Sequence, residues 1–311
     1  IATSMACLKA AAANAGEPLW RYLSNGREVC LPLPEIQILG GGAHAAGRLD
    51  VQDFLVTAVG APDFVTALDW TAEIYLAAGR LLRESDRLQG VADEGGYWPA
   101  FDSNEQALDM LVRAIEAAGL TPGQDVAIAL DIAATEFFHD GLYHLRSENK
   151  TLDRDALCEK WLDWLARYPI AMIEDPLAED DVEGYIQFTR AAKKDVQIIG
   201  DDFLVTNAQR IQTFAEQGAC NAALIKPNQA GTMTETLAAL EAANAADWGA
   251  IVSARSGETE DDTIVHLAIG WGAKQLKVGS ITRSERTAKW NEGLRIAEQL
   301  GNPRGVLARI W

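Results

Sequence analysis

The chain lacks the cysteine patterns that announce a small metal or redox module. Its four cysteines, Cys7, Cys30, Cys158 and Cys220, are widely separated and form no CxxC pair. They read as free thiols of a reducing, cytoplasmic setting rather than as a disulfide framework. No apolar run approaches the roughly 20 residues needed to span a bilayer, and no signal-peptide pattern is present, so no membrane role is expected. Basic residues are also scarce: 27 Lys and Arg stand against 45 Asp and Glu, a net charge of −18. Binding to a nucleic-acid backbone needs the opposite balance, which excludes a nucleic-acid partner. The same imbalance means that an anionic substrate must be met by a local pocket of Lys, Arg or metal. Finally, no GxGxxG turn follows any strand-like run, which argues against a dinucleotide-binding sheet.

What is present is an ordinary globular composition, 48% hydrophobic and 23% charged over 311 residues. "IATSMACLKAAAANAG" has helical character from its first residue, with Gly16 as a stop and no initiator methionine, so a preceding segment is expected. From about residue 125 short apolar runs alternate with amphipathic stretches. The runs are "VAIALDI" (126–132), "IAMIEDP" (170–176), "VQIIGDD" (196–202), "AALIKPN" (222–228), "AIVSARS" (250–256) and "QLKVGS" (275–280). Continuous apolar strands between helices imply an α/β protein with a covered parallel sheet, and their number favours a closed barrel.

Each run ends in a polar residue: Asp131, Glu174, Asp201, Lys226, the Ser253–Ser256 cluster and Lys277. From Glu174 onward the intervals are 27, 25, 28 and 23 residues, one strand–helix unit each. In a parallel barrel the C-terminal strand ends meet at one mouth, so three carboxylates and two lysines converge there. A single Asp at a strand end is commonly a helix cap, as Asp202 could be. Five ionisable residues at successive ends of buried strands are poorly explained that way. Three carboxylates with no His or Cys cluster suit a hard cation, Mg²⁺ with Mn²⁺ as an alternative. A lysine facing it, held neutral by burial and positive neighbours, can act as a base. The expected chemistry is removal of a proton next to a carboxylate, with the metal stabilising the enediolate.

Upstream, "LGGGAHAAGRLDVQDF" (39–54) is a glycine-rich loop entering a strand, with His44 at its tip, and "ADEGGYWP" (92–99) exposes Glu94 on a tight turn. Taken in order with "IALDIAATEFF", "IEDPLAEDD", "GDDFLVTNAQRI", "LIKPNQAGTMTETL", "SARSGETEDD" and "LKVGSITRSERTAKWNE", these segments resemble the enolase family over residues 1 to about 301. The resemblance implies the enolase-type (β/α)8 barrel, irregular near its start, as one domain over 1–311. The family's N-terminal α+β capping domain, with its lid loop, is then not part of this sequence. It further implies Asp131, Glu174 and Asp201 as Mg²⁺ ligands, Lys226 as the base for the C2 proton, and Lys277 facing the substrate carboxylate. Glu94 would assist loss of the C3 hydroxyl, with Asp53 at a family catalytic carboxylate. His44, Arg255 and Ser256 would contact the phosphate side, and Gln52 would line the site. A homodimer is the family expectation.

The chain departs from the family pattern at Ala254, where enolases carry histidine, and at Asp53, where they carry glutamate. Leu39 replaces an asparagine before the glycine loop. All three changes are expected on the leaving-group and phosphate side. They point to a lyase acting on a small phospho- or phosphono-acid larger than 2-phosphoglycerate, for example one forming carboxyphosphonoenolpyruvate in phosphonate biosynthesis. Ordinary enolase activity, a catalytically weak binding protein, and a sugar-acid dehydratase or racemase are the competing readings; Arg255, Ser256 and the glycine loop speak against the last.

Overall fold

The computed structural model describes residues 1–310. Eight strands form the barrel: β1 Leu33–Gly40, β2 Asp53–Thr57, β3 Ala127–Asp131, β4 Ile170–Glu174, β5 Gln197–Gly200, β6 Ala222–Ile225, β7 Gly249–Ser253 and β8 Gln275–Lys277. Pairing of β8 with β1, from Leu33↔Gln275 to Glu35↔Lys277, closes the sheet. All neighbours run parallel except β2, which is antiparallel to both β1 and β3. This reversal has a direct consequence for the site. The N-terminal end of β2, not its C-terminal end, reaches the rim where the other strands finish, so Asp53 is the Cα partner of Asp131 and Asp131 that of Glu174.

The six downstream strands fall where the apolar runs predict, each somewhat shorter than its run. The inside of the barrel is filled by Leu55, Ala129, Met172, Ile199, Ala222, Leu224 and Ile251, which form a buried apolar cluster separate from the outer layer. A larger apolar layer lies between the sheet and the surrounding helices. Many of those helices start on a side-chain cap. Asp63, Ser103, Asp153, Asp181, Asn207 and Thr232 each accept from the backbone N–H three residues on, worth about 1 kcal/mol per helix start. The N-terminal helix runs Ala2–Ala15 and stops at Gly16, whose φ of 72° suits glycine, as the sequence predicts. No helix among the described residues is long and apolar enough to cross a membrane.

Two insertions depart from a simple βα repeat. A hairpin of strands Leu88–Val91 and Tyr97–Pro99 docks on the end of β1 through Leu39↔Tyr97. A small sheet of Phe138–His139, Leu142–Leu145 and Lys150–Leu152 fills the connection after β3. The hairpin matters more, because its turn carries Glu94 back to the rim of the barrel.

Candidate active site

The barrel mouth holds a polar cavity of about 230 Å³. The catalytic, substrate-binding and metal candidates from the sequence all line it except Glu174, which is fully buried and bonded to Lys277 of the lining. A larger cavity of about 380 Å³, between the helix Leu19–Ser24 and the C-terminal tail, gathers no comparable set of buried ionisable groups.

On one side sit the strand-end residues. Lys277 donates to Asp131 at 2.8 Å and to Glu174 at 2.6 Å, and Lys226 donates to Asp201. Gln229 also donates to Asp201, at 3.0 Å, and Gln52 to Asp131, at 3.3 Å. Burial raises the Glu174 carboxyl well above its usual range, Asp131 adding to the effect, and its Oε1 is buried without a hydrogen-bond partner. Burial acts on Asp131 in the same direction, but the charge and hydrogen bond of Lys277 win and hold it below its usual range. With only the protein's own groups around it, Lys226 is held in its charged form. Burial favours the neutral amine, but the Asp201 and Glu174 charges outweigh it and raise Lys226 above the ordinary lysine range. The groups of three metal-type donors within 4.8 Å of one another at the mouth are His44–Asp53–Glu94 and Asp175–Asp201–Asp202, rather than the expected trio. The trio's oxygens are instead bonded to the two lysines, Asp201 to Lys226 and both Asp131 and Glu174 to Lys277. As a donor set, the trio consists of buried carboxylate oxygens at adjacent strand ends, one of them unpartnered, which fits a hard dication.

The other side is assembled from loops. The Gly40–Gly42 turn admits no side chain at its centre: a Cβ on Gly41 would meet Val51 O at 2.2 Å. His44 follows in a short 3-10 turn, Gly42–Ala45. It is only 8% exposed, with Nδ1 2.8 Å from Asp53 and Nε2 2.7 Å from Ser256 Oγ. Burial alone would lower its pKa; the charge and hydrogen bond of Asp53 instead push it up to about 9. Glu94 corrects its expectation. It is 7% exposed rather than displayed on a surface turn, because Ser280 N–H and the docked hairpin fold its turn onto the barrel. Burial, then the Asp53 charge, raises its carboxyl, with His44 acting against them. Leu39 is a second correction: it is fully buried in the outer apolar layer and does not line the cavity. Ala254 does line it, between Ser253 and Arg255, and presents only a methyl group. The Arg255 guanidinium makes no ion pair among the described residues.

Three supporting residues escape the sequence reading. Gln37 donates to Asp53 and accepts from Gly96 N–H at 2.7 Å, tying β1 to the Glu94 hairpin. Its inward position two residues from Glu35 on a strand is a visible signal. Asp175 receives the backbone N–H of Asp201 at 2.9 Å and of Asp202 at 2.8 Å, and the Tyr185 hydroxyl at 3.0 Å. It adopts a φ of 39°, disfavoured for a residue with a Cβ, and so anchors the turn that follows β5. Arg286 is fully buried and donates to Arg255 O at 2.9 Å and to Ser256 O, holding that segment at the mouth. It lies far along the chain, and no local pattern marks it.

Comparison with known proteins agrees with this geometry. The family model described as "Enolase, C-terminal TIM barrel domain" matches residues 28–306. "Enolase 1" of Desulfitobacterium hafniense (strain Y51) is 49% identical over 302 residues, covering 96% of this chain and 69% of its own length. "Enolase" of Mycobacterium leprae (strain TN) is 46% identical over 303 residues, 97% of this chain and 70% of its own length. With a closed barrel, a carboxylate and lysine mouth, and similarity across nearly the whole chain, this protein belongs to the enolase family and is an enolase-type hydro-lyase.

Proposed function

We propose that the chain dehydrates a 2-phospho- or 2-phosphono-3-hydroxy acid that is larger than 2-phosphoglycerate on the side of Ala254. The observation that carries the reading is Ala254 itself, a methyl group flanked by Ser253 and Arg255 in the wall of a cavity whose other lining residues, Ala43 aside, are polar or charged. Asp131, Glu174 and Asp201 would hold Mg²⁺, which when bound supplies positive charge beside the substrate carboxylate and so acidifies the neighbouring C–H. Lys226 Nζ lies at the rim as the acceptor of the C2 proton, once the Asp201 charge that keeps it protonated is otherwise engaged. Lys277 faces the substrate carboxylate. Glu94, its carboxyl raised by burial and by Asp53, would assist loss of the C3 hydroxyl as the acid. His44, Arg255 and Ser256 take the phospho group, with Arg286 fixing the Arg255–Ser256 backbone. A carboxylated phosphorus would find the unpaired Arg255 guanidinium beside the space at Ala254, which supports a carboxyphosphonoenolpyruvate-type product.

Ordinary enolase activity is the second reading, favoured by Asp53. Although one methylene shorter than glutamate, it is held at the rim by His44 and Gln37. Rates of dehydration of 2-phosphoglycerate and of its carboxyphosphono analogue, measured with Mg²⁺ in one preparation, separate the two. A kcat/KM ratio favouring the analogue is expected; a ratio favouring 2-phosphoglycerate by tenfold or more returns the chain to ordinary enolase chemistry.

A further inference from the structure

Glu35 has no part in the chemistry above, yet it sits inside the barrel. It is 1% exposed, and its Oε2 is buried with no hydrogen-bond partner. An unpartnered buried carboxyl destabilises a fold, and an apolar side chain of similar size would avoid the cost. Such a group calls for a reason. The sheet places Glu35 beside the site: it is the Cα partner of Lys277 on β8 and of Thr57 on β2. Gln37, two residues on and therefore on the same face, reaches Asp53. Burial pushes the Glu35 carboxyl up to about 7, with Lys277 acting against this and Asp131 and Asp53 adding to it. These are the charges that face it.

Lys277 is divided between Asp131 and Glu174, two of the three residues that would hold Mg²⁺. A carboxylate committed to a dication is a poorer partner for an ammonium, because the two cations compete for the same oxygens and repel each other. Lys277 then needs an anion outside the ligand trio, and Glu35 on the adjoining strand is one. We propose that Glu35 is a positioning residue, the counter-carboxylate that holds the Lys277 ammonium in place while Asp131 and Glu174 serve the cation. The inference rests on the Mg²⁺-dependent reading above and deepens it. It also accounts for an otherwise unpartnered carboxyl: its partner is engaged elsewhere until the cation arrives.

The test uses Glu35→Met, Glu35→Gln and Glu35→Asp in the full chain, with three readouts: melting without divalent cation, affinity for Mg²⁺ alone by calorimetry, and kcat and KM for 2-phosphoglycerate. Glu35→Met is expected to melt at or above the wild-type temperature. Its Mg²⁺ affinity should fall about tenfold, since Lys277 keeps its hold on the ligands, and KM should rise more than kcat falls. Glu35→Gln should follow Glu35→Met, because it is isosteric but carries no charge, and Glu35→Asp should recover part of the loss. Wild-type Mg²⁺ affinity and KM in Glu35→Met and Glu35→Gln overturn the proposal, as do losses that merely track a lowered melting temperature. If the wild type turns over neither 2-phosphoglycerate nor its carboxyphosphono analogue, the functional reading fails, and the Mg²⁺ titration alone then judges Glu35.

Discussion

The two sides of the barrel mouth are built on different principles. Asp131, Glu174, Asp201, Lys226 and Lys277 stand at or one residue beyond the ends of strands, and the ladder pairs the first two directly, Asp131↔Glu174. The backbone sheet therefore sets their spacing. His44, Glu94, Arg255 and Ser256 come from loops, and are brought together by side-chain bonds across long stretches of chain: His44 to Ser256, Arg286 to Arg255, Gln37 to Gly96. A strand-end position tolerates little change without disturbing the sheet. A small side chain facing the loop-built half of the cavity, as Ala254 does one residue beyond β7, can change size while its neighbours stay in place. The comparison teaches that specificity can drift on the loop side while the proton-abstracting side keeps its geometry.

The hardest way to break this contrast is to remove the proposed base. Lys226→Ala should slow exchange of the substrate α-proton with solvent deuterium by about 10²–10⁴-fold while Mg²⁺ binding persists, since general-base catalysis contributes on that scale. Exchange at the wild-type rate, followed by proton NMR, would assign the base to another residue.

A change on the loop side should alter preference rather than abolish chemistry. Ala254→His is expected to move the kcat/KM ratio about tenfold toward 2-phosphoglycerate, roughly 1.4 kcal/mol of differential transition-state stabilisation. The ring refills the space and restores a donor on the Glu94 side of the cavity. Adding Asp53→Glu should help more in that background than alone, as expected of neighbouring groups. An unchanged ratio in the double variant would make Ala254 a neutral substitution.

The smallest effect concerns how the loop side is held. The folded pKa of His44 is raised from 6.5 to about 9, so the folded state binds this proton more tightly than the unfolded chain. Its stabilising contribution is complete below pH 6.5 and is lost as pH rises through about 9. The melting difference between wild type and His44→Gln should accordingly shrink across that window. A difference that does not vary with pH would mean that the His44–Asp53 contact carries no ionic contribution.

How much of this was legible in the sequence depends on the range of the interaction. The period of apolar strands and amphipathic helices, the polar residue at each strand end, and the spacing of one strand–helix unit are local properties, and they determined the α/β barrel and the convergence of Asp131, Glu174, Asp201, Lys226 and Lys277. Continuous apolar runs can bury only in a covered sheet, and a parallel closed sheet must bring its strand ends together. Tertiary structure alone decided the rest. The reversal of β2 put Asp53 on the rim, and the docked hairpin buried Glu94 where its sequence reads as a surface turn. Leu39 turned into the outer apolar layer, and Arg286 reached back some 30 residues to the mouth. The protonation of Lys226 belongs to the same class, because it is set by the balance between burial and the Asp201 charge. Local pattern specifies which faces must be buried; only the closed fold specifies which polar groups then find each other.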